Sequence, residues 1–185
     1  MSETTKRALA MSLKKLLDEK PLEKITINDI TSDCGVNRQT FYYHFQDIYD
    51  LIEWMYTTAA EKVIGERNTY QTWQEGYLDL FRYLQENRSF VINTYHSLSR
   101  EHLENYLYDK VYVLLKNVVD EVAQNRSIRE EDKAFIANFY KYGFVGLTLE
   151  WVKNGMKEDP QMIIRRLDTL IQGNFPEAVE RFSNH

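Results

Sequence analysis

Ile25-Thr26-Ile27-Asn28-Asp29-Ile30, followed by Cys34-Gly35-Val36-Asn37-Arg38-Gln39-Thr40-Phe41-Tyr42-Tyr43-His44-Phe45, carries two short helix signals separated by one glycine. Thr26 precedes an apolar run with Asp29 three residues on, a variant of the capping-box pattern that starts a helix and buries Ile27 and Ile30. Gly35 can take the positive φ that a tight turn requires, and Asn37 supplies an N-cap for a following helix of about residues 38–45. Two short helices joined by such a turn form a helix-turn-helix, whose second helix has the dimensions to enter a DNA major groove.

The second helix can be laid out at about 100° per residue. Phe41 and Phe45 fall on one face, Gln39, Thr40 and Tyr43 on the opposite one, and Arg38, Tyr42 and His44 on the flanks. Arg and Gln side chains can bond base edges bidentately, and Thr and Tyr hydroxyls can donate to phosphates. Packing of Tyr42 or Tyr43 against neighbouring helices, or of His44 as a cap beside the aromatic pair, is the competing assignment.

Outward from this stretch the pattern stays helical. Prolines stand only at 21, 160 and 176, and apolar residues recur at spacings of three and four. A first helix is expected over residues 4–19, with Leu9, Leu13, Leu16 and Leu17 on one stripe and Lys20-Pro21 as its stop. Asp47 can cap a fourth helix that carries Ile48, Leu51, Ile52, Met55, Ala59 and Val63 and is interrupted from Gly65 to Thr69. Further helices are expected at about 72–86, 89–97, 101–124, 129–154 and 160–172. Ser127 with Glu130 forms another capping-box pattern, Gly155 fits a left-handed position past a helix end, and Asp159-Pro160 supplies an N-cap followed by proline at the first helical position. The fold class is therefore all-α, with an N-terminal three-helix, homeodomain-like helix-turn-helix domain at 1–47 and a helical domain at 48–185.

Composition narrows the function. With 43% hydrophobic and 28% charged residues the chain resembles globular proteins, not disordered or fibrous ones. No run approaches the roughly 18 apolar residues of a membrane span, and the charged amphipathic start is unlike a signal peptide, so a cytoplasmic protein with no membrane partner is expected. Cys34 has no second cysteine to pair with and reads as a small packed residue before a redox sensor. The net charge of −5 opposes a polyanionic partner, but residues 1–48 hold seven basic and seven acidic side chains, so the whole excess lies beyond them. No glycine-rich phosphate loop, His-Glu metal motif or nucleophile elbow is present, and His44, His96, His102 and His185 lack ligand spacing. Neither an enzyme nor a metal or organic cofactor is expected. A helical adaptor using the same surface for protein is the alternative to DNA recognition.

The quoted run, continued to Asp50-Leu51, resembles the DNA-binding domain of the TetR family over about residues 5–55. The later half is similar, less specifically, to a TetR branch that includes regulators of dihydroxyacetone-kinase operons, on Tyr70-x-x-Trp73, Phe81-Arg82-Tyr83-Leu84-x-Glu86-Asn87 and the Arg38–Tyr42 core. The resemblance implies phosphate contacts from Thr26, Tyr42 and His44, and Arg38, Gln39 and Tyr43 nearest the bases of double-stranded operator DNA. One position departs from the pattern: where many relatives begin the fourth helix with a lysine phosphate clamp, this chain has Ile48 after Asp47.

Such modules act as symmetric dimers on paired half-sites. The resemblance gives the last two long helices to a homodimeric four-helix bundle, with Phe139, Gly143, Gly146, Leu147 and Glu150 on one and Ile163, Leu167 and Leu170 on the other. Intrachain packing is the competing account of the glycines. The family also implies a C-terminal domain that binds a small-molecule effector and moves the fourth helix, and the dihydroxyacetone-kinase branch raises a co-regulator protein as the source of the signal. Tyr77, Phe81, Phe90, Tyr95, His96, His102, Tyr106, Tyr112, Phe139 and Tyr140 are the pocket candidates. Aromatics at helical spacing are more often core than pocket, so none is singled out.

Overall fold

A computed structural model describes residues 2–60 and 69–183. Among these residues there is no strand, and the chain forms α1 (Ser2–Glu19), α2 (Ile27–Asp33), α3 (Arg38–His44), α4 (Ile48–Ala60), α5 (Trp73–Glu86), α6 (Arg88–Tyr95), α7 (Arg100–Val122), α8 (Glu130–Lys153), α9 (Pro160–Ile171) and α10 (Asn174–Ser183). A 3-10 turn at Leu22–Lys24 follows α1. The all-α class expected from the periodicity is the one found. The expected course of the fourth helix through Val63, and its interruption from Gly65, lie outside the described residues.

The helices divide into two compact units, one of residues 1–59 with 86–103 and one of 60–85 with 104–185. In the first, α1 buries Leu9, Leu13, Leu16 and Leu17 as its spacing requires. Although α6 lies in the middle of the chain, it belongs to this unit. Lys14 Nζ on α1 donates to Asn87 Oδ1 at 2.5 Å, the Leu22 amide donates to Asn93 Oδ1 at 3.2 Å, and Phe90 stacks on Tyr56 at 4.8 Å. The compact unit that holds residues 1–47 also takes in most of α4 and all of α6.

In the second unit Tyr77 of α5 sits between Phe81 and Phe144, each 4.9 Å away, and Phe81 stands edge-on to Trp151 at 4.7 Å. The Tyr77 hydroxyl donates to the Phe144 carbonyl at 2.7 Å and lies 2.8 Å from Thr148 Oγ1, so a wholly buried polar atom is satisfied. Burial pushes the Tyr77 phenol up from its ordinary range. Tyr77 and Phe81 thus serve as core here, whereas Phe139 and His96 are exposed and Phe90 packs in the other unit.

Several helix ends match their sequence chemistry. Gly155 has φ +74°, and Asp159 accepts from the Gln161 amide with Pro160 opening α9. The Ser127–Glu130 capping box is corrected: the N-cap of α8 is Arg129, with no side-chain cap, because Glu130 is drawn to Lys116 at 2.5 Å and Lys133 at 3.0 Å. α10 lies beyond the last helix expected from the sequence, at 160–172. It forms because Phe175 and Val179 bury themselves, Phe175 stacking on Tyr140 at 4.7 Å.

Candidate nucleic-acid interface

Local hydrogen bonds build the helix-turn-helix. Thr26 and Asp29 form a reciprocal capping box: the Asp29 amide donates to Thr26 Oγ1 at 3.2 Å, and the Thr26 amide and hydroxyl each donate to Asp29 Oδ2 at 2.8 Å. Lys20 Nζ reaches the same carboxylate at 2.9 Å. With Lys20 first and the Thr26 donors next, the Asp29 carboxyl is held down to about 2. Ile30 is fully buried beneath this start, while Ile27, expected beside it, is only half-buried.

α2 stops through a Schellman arrangement. Gly35 has φ +69°, its amide donates to the Ser32 carbonyl at 3.4 Å, and the Val36 amide donates to the Thr31 carbonyl at 2.9 Å. Cys34, the C-cap, is half-buried instead of wholly packed, and burial pushes its thiol up, away from the thiolate that redox chemistry needs. Asn37 then opens α3 by accepting from the Thr40 amide at 2.8 Å and the Thr40 hydroxyl at 3.0 Å.

The orientation of α3 is set by Phe41 and Phe45, at 0% and 3% exposure. Phe45 also meets Trp54 of α4 at 5.8 Å, and Lys6 of α1 lies over both rings, 5.6 and 5.7 Å from their centroids. The opposite side is consequently free. Tyr43 is 82% exposed, Arg38, Gln39 and Tyr42 are exposed, and Thr40 and His44 are half-buried at the edges. The structure therefore brings Arg38, Gln39, Thr40, Tyr42, Tyr43 and His44 onto one short helix, with Thr26 exposed at the start of α2. Packing is excluded as the account of Tyr43.

Two exposed residues that the sequence reading did not place among the DNA contacts belong to the same compact unit. Asn37 lines a shallow concavity with Gln39, Thr40 and Tyr43. Tyr49, in the first turn of α4, is exposed beside the half-buried Ile48. An aromatic at a position that helical geometry turns outward was the available signal for Tyr49. The start of α4 otherwise carries acid: Asp47 caps the Asp50 amide at 2.9 Å, and Asp50 accepts from the Gln46 amide at 2.8 Å.

On the second unit, the outer side of α8 exposes Phe139 at 67%, Gly143, Gly146, Leu147 and Glu150, and α9 exposes Leu170 at 75%. Ile163 and Leu167 turn inward, each 7% exposed, and line a recess of about 340 Å³ between α8 and α9 with Leu147, Glu150 and Leu170. A Cβ added at Gly143 or Gly146 would meet nothing within 4 Å, so packing within the described chain does not explain either glycine.

Residues 13–55 match the profile described as bacterial regulatory proteins, tetR family, and residues 71–173 match that of a TetR-type transcriptional regulator C-terminal region. The chain is 26% identical over 153 residues to the HTH-type dhaKLM operon transcriptional activator DhaS of Lactococcus lactis subsp. lactis (strain IL1403), an alignment covering 82% of this chain and 81% of that protein. Its fold is similar to the solved structure of the dihydroxyacetone kinase operon activator DhaS, with a TM-score of 0.73 at 22% identity over 97% and 98% of the two chains. It is also similar to NalD, the secondary repressor of the MexAB-OprM multidrug efflux pump in Pseudomonas aeruginosa, with a TM-score of 0.65 at 17% identity over 92% and 96%. Matched through its recognition domain and across more than half its length by the C-terminal profile, the chain belongs to the TetR family of DNA-binding transcriptional regulators.

Proposed function

We propose that this regulator binds a palindromic operator in double-stranded DNA as a homodimer, with residues 1–47 as the DNA-binding module and 48–185 as the regulatory and dimerisation part. Arg38, Gln39 and Tyr43 approach base edges, Tyr42 and His44 approach phosphates, Thr40 completes the outward face, and Thr26 fixes the start of α2 at the backbone. The observation that carries this reading is the exposure of Tyr43 beside Gln39 on a helix whose other side is buried through Phe41 and Phe45. A free surface that offers two tyrosines, a glutamine and an arginine suits a groove of hydrogen-bonding edges.

The dimer reading is supported by the exposed Phe139 and Leu170 and by the open glycines of α8. Isologous contact through this face would bring two copies of Phe139, Gly143, Gly146, Leu147, Glu150 and Leu170 together, with Ile163 and Leu167 forming the floor beneath. A small-molecule effector or a co-regulator protein supplies the signal. The relatives' names include one activator and one repressor. The sign of regulation is therefore assigned to the operator's position relative to the promoter, and the site of action to the cytoplasm.

Fluorescence anisotropy with operator and random duplexes over a salt series tests the DNA part. Affinity should fall linearly on logarithmic axes, with a slope of about −0.9 per phosphate neutralised. A folded protein with no DNA affinity at low salt would return the surface to the adaptor alternative. Sedimentation equilibrium tests the dimer.

A further inference from the structure

We propose that Tyr42 is a positioning residue for Arg38: its hydroxyl oxygen holds the guanidinium on the base-reading side of α3 while its own proton remains available to a phosphate oxygen. This rests on the reading of α3 given above and adds a division of labour to it.

The two residues stand four apart on α3, so their side chains share one face. Arg38 Nη2 donates to Tyr42 Oη at 3.3 Å, and its guanidinium carbon lies 6.0 Å from the Tyr42 ring centroid. The Tyr42 ring is in turn set edge-on to Phe41, with centroids 5.9 Å apart and planes at 85°. Phe41 is wholly buried, so the chain of contacts runs from a fixed core ring through an exposed phenol to a long, flexible cation.

Chemistry lets Tyr42 act in both directions. A phenol carries one donor and spare acceptor lone pairs, so accepting from Arg38 leaves its hydrogen free. A guanidinium carries five N–H donors, so one bond to Tyr42 leaves enough for a bidentate contact to guanine. An unrestrained arginine would lose its rotamer freedom on reaching a base, and a neutral tether lowers that loss without neutralising the charge. Three other cations of this unit are paired with acid, Lys15 with Asp33, Lys20 with Asp29 and Arg7 with Glu3, while Lys14 donates to Asn87 and Lys6 lies over the Phe45 and Trp54 rings. Among the described residues Arg38 meets no carboxylate within salt-bridge distance.

The test uses the full chain and an operator selected from a random duplex pool, with single-base variants of that operator. Affinities are measured for wild type, Arg38→Ala, Tyr42→Phe and the double variant. Arg38→Ala should flatten the preference at one base pair by about five- to a hundredfold. Tyr42→Phe should weaken the preference at that same pair in the wild-type background and leave it unchanged in the Arg38→Ala background. A uniform loss on all duplexes, equal in both backgrounds, reports the phosphate bond separately. Both side chains are exposed, and matching thermal unfolding curves verify that the variants fold.

Uniform weakening by Tyr42→Phe with every base preference kept would overturn the proposal, as would a lost preference at a different base pair. If Gln39→Ala changes a base preference and Arg38→Ala changes none, Arg38 is not a base reader and the tether has no function. If no α3 variant changes any preference, the reading of the α3 face fails first.

Discussion

Phe41 on a seven-residue helix and Phe45 at its C-cap hold their ring centroids 5.9 Å apart on the buried side. So short a helix has almost no stability of its own, so these rings tie it to the rest of its unit. Phe41→Ala should cost about 3–5 kcal/mol in a denaturant titration and abolish DNA binding with it. Tyr43→Ala, on the free side, should stay within about 0.5 kcal/mol of wild type.

Asp29 is a pH-sensitive cap. Its folded pKa, lowered from 3.8 to about 2 by Lys20 and then by the Thr26 amide and hydroxyl, means that the ionised form favours the native state. Its contribution is complete above the unfolded value near pH 4 and is lost as pH falls toward 2. An NMR titration of the Asp29 carboxyl carbon should show a midpoint near 2, and Lys20→Ala or Thr26→Ala should raise it. Asp29→Asn should remove this share of the acid sensitivity.

The face of α3 and the cap of α2 should separate in binding experiments. Gln39→Ala and Tyr43→Ala are each expected to reduce discrimination between operator and random DNA by about 1–3 kcal/mol. Thr26→Ala should weaken binding to both DNAs alike, because it loosens the first turn of α2 and costs about 1 kcal/mol as a lost cap. Competition anisotropy with unlabelled random duplex distinguishes the two patterns.

Gly143 and Gly146 offer an unusual sign. Alanine at either place meets no neighbour in the chain and gains about 1 kcal/mol of helix propensity. Gly146→Ala should therefore leave the fold of the single chain intact or firmer, yet raise the dimer dissociation constant by separating two facing helices. Sedimentation equilibrium at several loading concentrations reads this directly, and an unchanged constant would mean the glycines lie off the interface.

What could be read from residue order alone was chemistry acting over three or four residues. The Thr26–Asp29 box, the positive φ of Gly35, the Asn37 cap, the Asp159-Pro160 start and the two-sided division of α3 all follow from hydrogen bonds and helical angles within one turn. The folded chain alone decided matters set by residues far apart. Glu130 does not form its expected box and pairs instead with Lys116 on another helix. α6 joined the recognition unit through Lys14–Asn87, a bond spanning 73 positions. The resemblance put Ile163, Leu167 and Leu170 together on α9 without saying which of them faced inward, and the fold buries the first two and exposes Leu170. A turn's worth of chain carries its own hydrogen-bonding instructions, but burial depends on which distant surfaces are available to cover it.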